Sequence, residues 1–269
     1  MLDLNASKFL SKKELSEMAP SIFTMKPSSE VSEKYTHIPT ERVIDDMELL
    51  GWKPVDAKEV KARTKNTQGV QKHMLVFRND DVVINGEDGD TVYPQILITN
   101  SHDGKNAFQF TAGLFRMICE NGLIIATDEF ADLKMRHMGY TFEDLQVLIK
   151  DMVEKLPLTV ESMNKMKNIE LEEEKIIDLA KSLLDIRVEG TDNTYDSSAI
   201  EEVLETQRKK DEGVGLWEVF NRVQENIIEG NFHYKTKSGK VRQARIIKNF
   251  KQDIDLNRNM FAKAMEYAA

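Results

Sequence analysis

Between His233 and Lys251 stand Lys235, Lys237, Lys240, Arg242, Arg245, Lys248 and Lys251, with no Asp or Glu among them. Spacings of two, three and four residues suit a basic hairpin or the exposed face of a short element. Such cations can neutralise successive phosphates and displace their counterions, the main source of sequence-independent affinity for nucleic acid. The same residues also read as a solvated surface, or as a strip docked on the chain's own acidic segment. Lys72, Arg78 and Arg116, further back in the chain, could extend a phosphate-binding face. Trp52, directly before Lys53, could stack on a base as the aromatic platforms of single-strand binders do. Trp217 lies beside an apolar stripe and reads as core.

The residues that make or break bonds are scarce. There are five histidines and one cysteine, with no phosphate loop, no paired Cys-x-x-Cys, no His-Glu-x-x-His and no Gly-x-Ser-x-Gly. Cys119 sits in an apolar run and reads as packing rather than as a nucleophile. His102-Asp103 could be half of a metal site, but Gly104 beside it makes turn chemistry the simpler reading. The acids of Asn85–Asp90 lack the alternating spacing and distal Glu of a calcium loop. No catalytic residue, metal site or cofactor is expected, and the chain is not read as an enzyme.

The composition sets the class. The chain has 269 residues, 41% hydrophobic and 31% charged, with a net charge of −9. This is a globular balance, neither collagen-like nor disordered. Residues 141–212 hold 19 acids against 10 bases, whereas residues 213–269 hold 6 against 10. No apolar run reaches the ~18 residues of a membrane span, and no signal-peptide core precedes Lys13. One cysteine and no anchor imply a reducing, cytoplasmic setting without a membrane partner.

The elements that must position these residues follow from periodicity. Residues 1–37 read as a polar arm with one short helix over Lys12–Met18. Thr40 caps a helix with Val43, Met47 and Leu50 on one face, stopped by Gly51. Residues Trp52–Val60, Gln71–Arg78, Tyr93–Asn100 and Asn106–Thr111 read as strands, the last two joined through Asp103-Gly104. A covering helix is expected over Gly113–Gly122. Residues 38–140 are therefore an α+β unit with one antiparallel sheet. An acidic helical segment, 141–212, has a first helix from Thr141 ending before Pro157, a second over Ile176–Ile186, and a polar hinge at Asp192–Ser198. The last segment, 213–269, has a helix over Leu216–Ile227 ending at Gly230, the basic strip, and a closing helix over Asp253–Tyr267.

Several pieces together resemble a family of phage- and plasmid-encoded proteins of uncharacterised function. They are Ile38-Pro39-Thr40, Leu50-Gly51-Trp52, Gln71-Lys72-His73 and Asn100-Ser101-His102-Asp103-Gly104. Gly113–Arg116 and Cys119-Glu120-Asn121-Gly122 follow, then Leu216-Trp217, Glu225-Asn226, Gly230, Ala244-Arg245 and Leu256-Asn257. The family usually carries a Gly-rich segment where this chain has Gly230 alone. The order of elements is also similar to the core of single-strand annealing recombinases. These resemblances imply a mobile-element protein in a bacterial host cell, forming homo-oligomers and binding single-stranded DNA without nucleotide hydrolysis. Under that reading Lys235, Lys237, Lys240, Arg242 and Arg245 contact phosphates. The alternative is a protein-interaction module whose acidic helices inhibit or redirect a host or phage protein, such as a defence complex.

Overall fold

The computed structural model describes the chain except residues 1–7, 34, 63, 65, 66, 83, 86–90, 107, 117–140, 248 and 269. Its contacts divide into two units, residues 1–122 with 129–156, and residues 123–128 with 157–269. The loop at 86–90 and Cys119 lie outside the described residues, as does the second half of the helix expected over 113–122.

The first unit is built on an antiparallel sheet of β1 (Lys53–Glu59), β2 (His73–Arg78), β3 (Ile84–Asn85), β4 (Thr91–Asn100) and β5 (Gln109–Arg116). The long β4 carries it, pairing β2 from His73↔Asn100 to Arg78↔Gln95 and β5 from Thr99↔Gln109 to Val92↔Arg116. Strand β2 is buried along its whole length, so both faces of the sheet are covered there rather than one being left wet. Part of the cover comes from α2 (Thr40–Leu49), whose buried face is Val43, Ile44 and Met47. Gly51 ends that helix with φ +83°, and Trp52 turns back so that its N–H donates to Met47 O at 2.9 Å.

Two expectations are corrected here. Gly113–Arg116 belong to strand β5, not to a helix. Each of the four has a partner on β4, and that ladder overrides the local apolar spacing that suggested a helical face. The stretch read as a polar arm has its expected short helix, α1 (Lys12–Met18), where Ser11 and Glu14 close a capping box, but it is not a solvated arm. Leu15, Ala19 and Ile22 are all fully buried, so a few apolar side chains among polar ones are enough to bring this segment into the core.

The second unit is helical. Helix α3 (Phe142–Lys167) runs through Pro157 instead of ending before it, and Leu156/Pro157 is where the chain passes from one unit to the other. Then come α4 (Glu173–Val188), α5 (Ser197–Leu204), α6 (Leu216–Glu229), a hairpin of β6 (His233–Lys235) and β7 (Val241–Gln243), and α7 (Phe250–Met265). Helix α6 is the axis of the unit. Leu216, Phe220, Val223 and Ile227 are buried as their spacing predicts, with Trp217 beside them, but so are Asn221, Arg222, Gln224, Glu225 and Asn226. A helix enclosed on all sides must satisfy its polar groups internally. Asn226 Nδ2 donates to Val203 O and Glu205 O at 3.0 and 2.8 Å, and Gln224 Nε2 donates to Asn257 Oδ1 at 2.7 Å.

Candidate nucleic-acid interface

The basic strip folds as a hairpin held from three sides. At its root, α6 ends on Gly230 with φ +79°, and the following Phe232 is buried. Ala244 N–H donates to Phe232 O at 2.8 Å and Ile247 N–H to Ile228 O at 2.9 Å, which ties the exit of β7 to α6. Glu202 on α5 accepts from the His233 backbone N–H at 2.6 Å and meets its Nδ1 at 2.8 Å. Thr194 pairs with Lys235 in both directions, at 2.9 and 2.7 Å. The loop bearing Thr194 is itself pinned to α4, because the Tyr195 hydroxyl donates to Asp185 and lies 3.2 Å from Lys181 O. At the tip, Gly239 takes φ +77° and Thr236 N–H donates to Lys240 O at 2.9 Å.

The hairpin's cations fall into two groups. Lys235 pairs with Asp196 at 2.8 Å and Lys237 with Asp192 at 3.2 Å, all four side chains being largely exposed. Both acids come from the acidic segment 141–212, so part of the strip is docked on the chain itself. Lys240 and Arg242 are exposed, and among the described residues neither has an ion-pair partner. The exposed pairs are individually weak, on the order of 0–1 kcal/mol.

Beside the hairpin is a cavity of about 430 Å³ lined by Arg187, Arg242, Arg245, Tyr234, Asn193 and Phe232, among others, with no carboxylate among the described residues of its wall. Arg187 comes from the last turn of α4, where a cation is favoured by the helix dipole. Its Nη2 donates to Arg245 O at 3.2 Å, while its Nε is buried with no acceptor among the described residues. Burial pushes the Arg187 guanidinium below its ordinary value, with Tyr234 acting the other way. Three arginines lining one space create a field that suits an anion.

The other expected site residues are placed differently. Trp52 is in the core of the first unit with 1% exposure, so it cannot stack on a base. Arg78 is also buried; its Nε donates to Asp80 at 2.7 Å and its guanidinium lies 5.2 Å from the Phe9 ring centre. Lys72 is half-buried, and Arg116 occupies a strand position opposite Val92. All four belong to the first unit and the strip to the second.

The first unit has a polar knot that the sequence reading did not assemble. Asn100 Nδ2 donates to Thr40 Oγ1 at 2.9 Å, which leaves the Thr40 hydroxyl proton to donate to His73 Nε2 at 2.8 Å. Nδ1–H of His73 then donates to Gln71 O at 3.1 Å, with Ser21 Oγ also at 3.1 Å. This fixes one neutral tautomer, and burial lowers the His73 pKa to about 4. His37 and His102 meet at 3.0 Å next to it. Among the described residues no group of three or more His, Cys, Asp or Glu could hold a metal ion. The knot fastens the segment before β1 to the ends of β2 and β4.

Residues 27–261 match the family described as "Domain of unknown function (DUF932)". The chain belongs to the DUF932 family. Two relatives from Escherichia coli (strain K12), "UPF0380 protein YafZ" and "UPF0380 protein YfjQ", are each 28% identical over 255 residues, covering 95% of this chain and 90% of the relative. No solved structure matches. In this DUF932 chain, the resemblance-bearing pieces Thr40, His73, Asn100 and His102 meet in the polar knot, whereas Gly230 and Ala244-Arg245 meet beneath the hairpin. The spacing of cations pointed to the hairpin. Arg187 was missed because nothing in α4's own pattern sets it apart from a surface residue.

Proposed function

We propose that this DUF932 protein binds nucleic acid, holding single-stranded DNA by its phosphates along hairpin β6–β7, in the setting of a phage or other mobile element and without hydrolysing nucleotides. The observation that carries the reading is the grouping of Arg187, Arg242 and Arg245 around one cavity, with no carboxylate among its described lining residues, in a chain whose net charge is −9. A local concentration of cations against the overall charge is what phosphate binding requires. Annealing of complementary strands by a homo-oligomer is the form of the activity most in keeping with a fold lacking recognised catalytic motifs. Fluorescence anisotropy with labelled single- and double-stranded DNA at low and high salt tests it. Salt-sensitive binding that favours the single strand is expected, and no binding at low salt would overturn it.

A second reading has its own observation. Asp192 and Asp196 already occupy Lys237 and Lys235, while Glu172, Glu173 and Glu174 at the start of α4 stand exposed. An interaction module would use that acidic face on a basic protein partner. Charge reversal of Glu172–Glu174 would then abolish partner capture without touching DNA affinity.

A further inference from the structure

A cavity of about 430 Å³ is within the range of small-molecule sites, about 300–1,000 Å³. It is larger than a phosphate group needs. Arg187, Arg242 and Arg245 line it from three separate places: the end of α4, strand β7 and the segment after β7. The buried Phe232 and Ala244 form part of its wall, and Tyr234, directly across the ladder from Arg242, adds an aromatic surface. A phosphodiester inside a strand carries one negative charge, whereas a terminal phosphomonoester carries about −1.5 to −2 at pH 7. Three guanidinium groups match the second better, and the planar fork of arginine suits its several oxygens.

We infer that the Arg187–Arg242–Arg245 cavity is a binding site for a terminal phosphomonoester borne by a nucleoside, whose base lies against Tyr234. The same chemistry is presented by a free nucleoside monophosphate and by the 5′-phosphorylated end of a DNA strand. For the strand end, the inference deepens the nucleic-acid reading and rests on it. The buried Nε of Arg187, which has no acceptor among the described residues, gains one when the phosphate enters. Arg187 reaches the site on a helix end and already donates Nη2 to the backbone carbonyl of Arg245, so its guanidinium is positioned before a ligand arrives.

The test compares affinity for one short single-stranded oligonucleotide with a 5′-phosphate and with a 5′-hydroxyl, and titrates deoxyadenosine monophosphate separately. A preference of about ten-fold or more for the phosphorylated strand is expected, the equivalent of one good charge-assisted contact. Arg187→Gln and Arg242→Gln should each bring that ratio towards one. The second lies on an exposed strand, so it keeps the test valid if the first disturbs folding. Saturable binding of the monophosphate, lost in Arg242→Gln, assigns the free nucleotide as a source. Equal affinity for the two strands, with no monophosphate binding, overturns the inference while leaving the nucleic-acid reading intact. Monophosphate binding without strand binding upholds the cavity and removes the nucleic-acid reading.

Discussion

Gly230 stands against the backbone of Ala244: a methyl group on Gly230 would lie 2.7 Å from the Ala244 carbonyl oxygen and 2.8 Å from the Arg245 carbonyl carbon. The residue that ends α6 thereby sets how closely the segment carrying Arg245 can approach. Gly230→Ala combines a left-handed backbone, costing about 1–2 kcal/mol, with a clash against backbone that cannot swing away. A loss of about 3 kcal/mol is expected in urea unfolding followed by Trp217 fluorescence in a Trp52→Phe background. Gly239→Asn is the contrast. Its φ is also positive, at +77°, but nothing lies within 4 Å of the added carbon, so it should cost under about 1 kcal/mol.

The ion pairs at the hairpin make a second prediction. Asp192 and Asp196 pair with Lys237 and Lys235, so under the proposed function they would compete with phosphate for those cations. Asp196 also caps α5 by accepting from Ser198 N–H, and Lys235 with Ser198 holds its pKa down to about 2. Asn caps as well as Asp does, so Asp196→Asn removes charge with little cost in stability. The double variant Asp192→Asn/Asp196→Asn should bind single-stranded DNA several-fold more tightly at low salt and unfold at nearly the same temperature. Unchanged affinity would mean that Lys235 and Lys237 take no part in binding.

Protonation should move the two units in opposite directions. His73 titrates near 6.5 when unfolded and near 4 when folded, so its contribution is intact above 6.5 and is lost as pH falls towards 4, by up to about 3 kcal/mol. Asp253 behaves oppositely: burial and then Glu229 raise it from 3.8 to about 7. The folded second unit therefore binds the proton more tightly between those values and gains stability as pH falls from 7, by about 2 kcal/mol once partial exposure is allowed for. Trp52 and Trp217 are each 1% exposed and report one unit apiece. Melting of Trp217→Phe and Trp52→Phe variants at pH 7.5 and 5 should show the first unit weakened and the second strengthened. Asp253→Asn should remove the second effect.

The order of helices and strands was legible because alternation and 3.6-residue spacing are strong where one face is apolar. Gln71–Arg78, Leu216–Ile227 and the Gly230 stop are such cases. The strand at Gly113–Arg116 was not, since its apolar residues fit a helical face as well and only the ladder to β4 decides between them. Trp52 and Arg78 looked available for binding because residue type says nothing about burial. Nothing in the spacing of α6 told that its Asn226 and Gln224 bridge neighbouring elements. The hairpin was visible as a run of cations, but its acidic partners and Arg187 come from loops and helix ends 35 residues or more earlier, a relation that only the fold creates.

The central claim is that the exposed cations of the hairpin neutralise phosphates, and the salt dependence of single-strand affinity tests it most directly. For the unaltered protein, log affinity should fall linearly with log salt concentration. Lys240→Ala/Arg242→Ala removes two contacts, so the slope should become shallower by roughly 1.4, at about 0.7 per contact on a single strand. Thermal stability should change by no more than ~0.5 kcal/mol, because both side chains lie on the surface. An identical salt slope in the two proteins, or a clear loss of stability with no change in slope, would contradict the account.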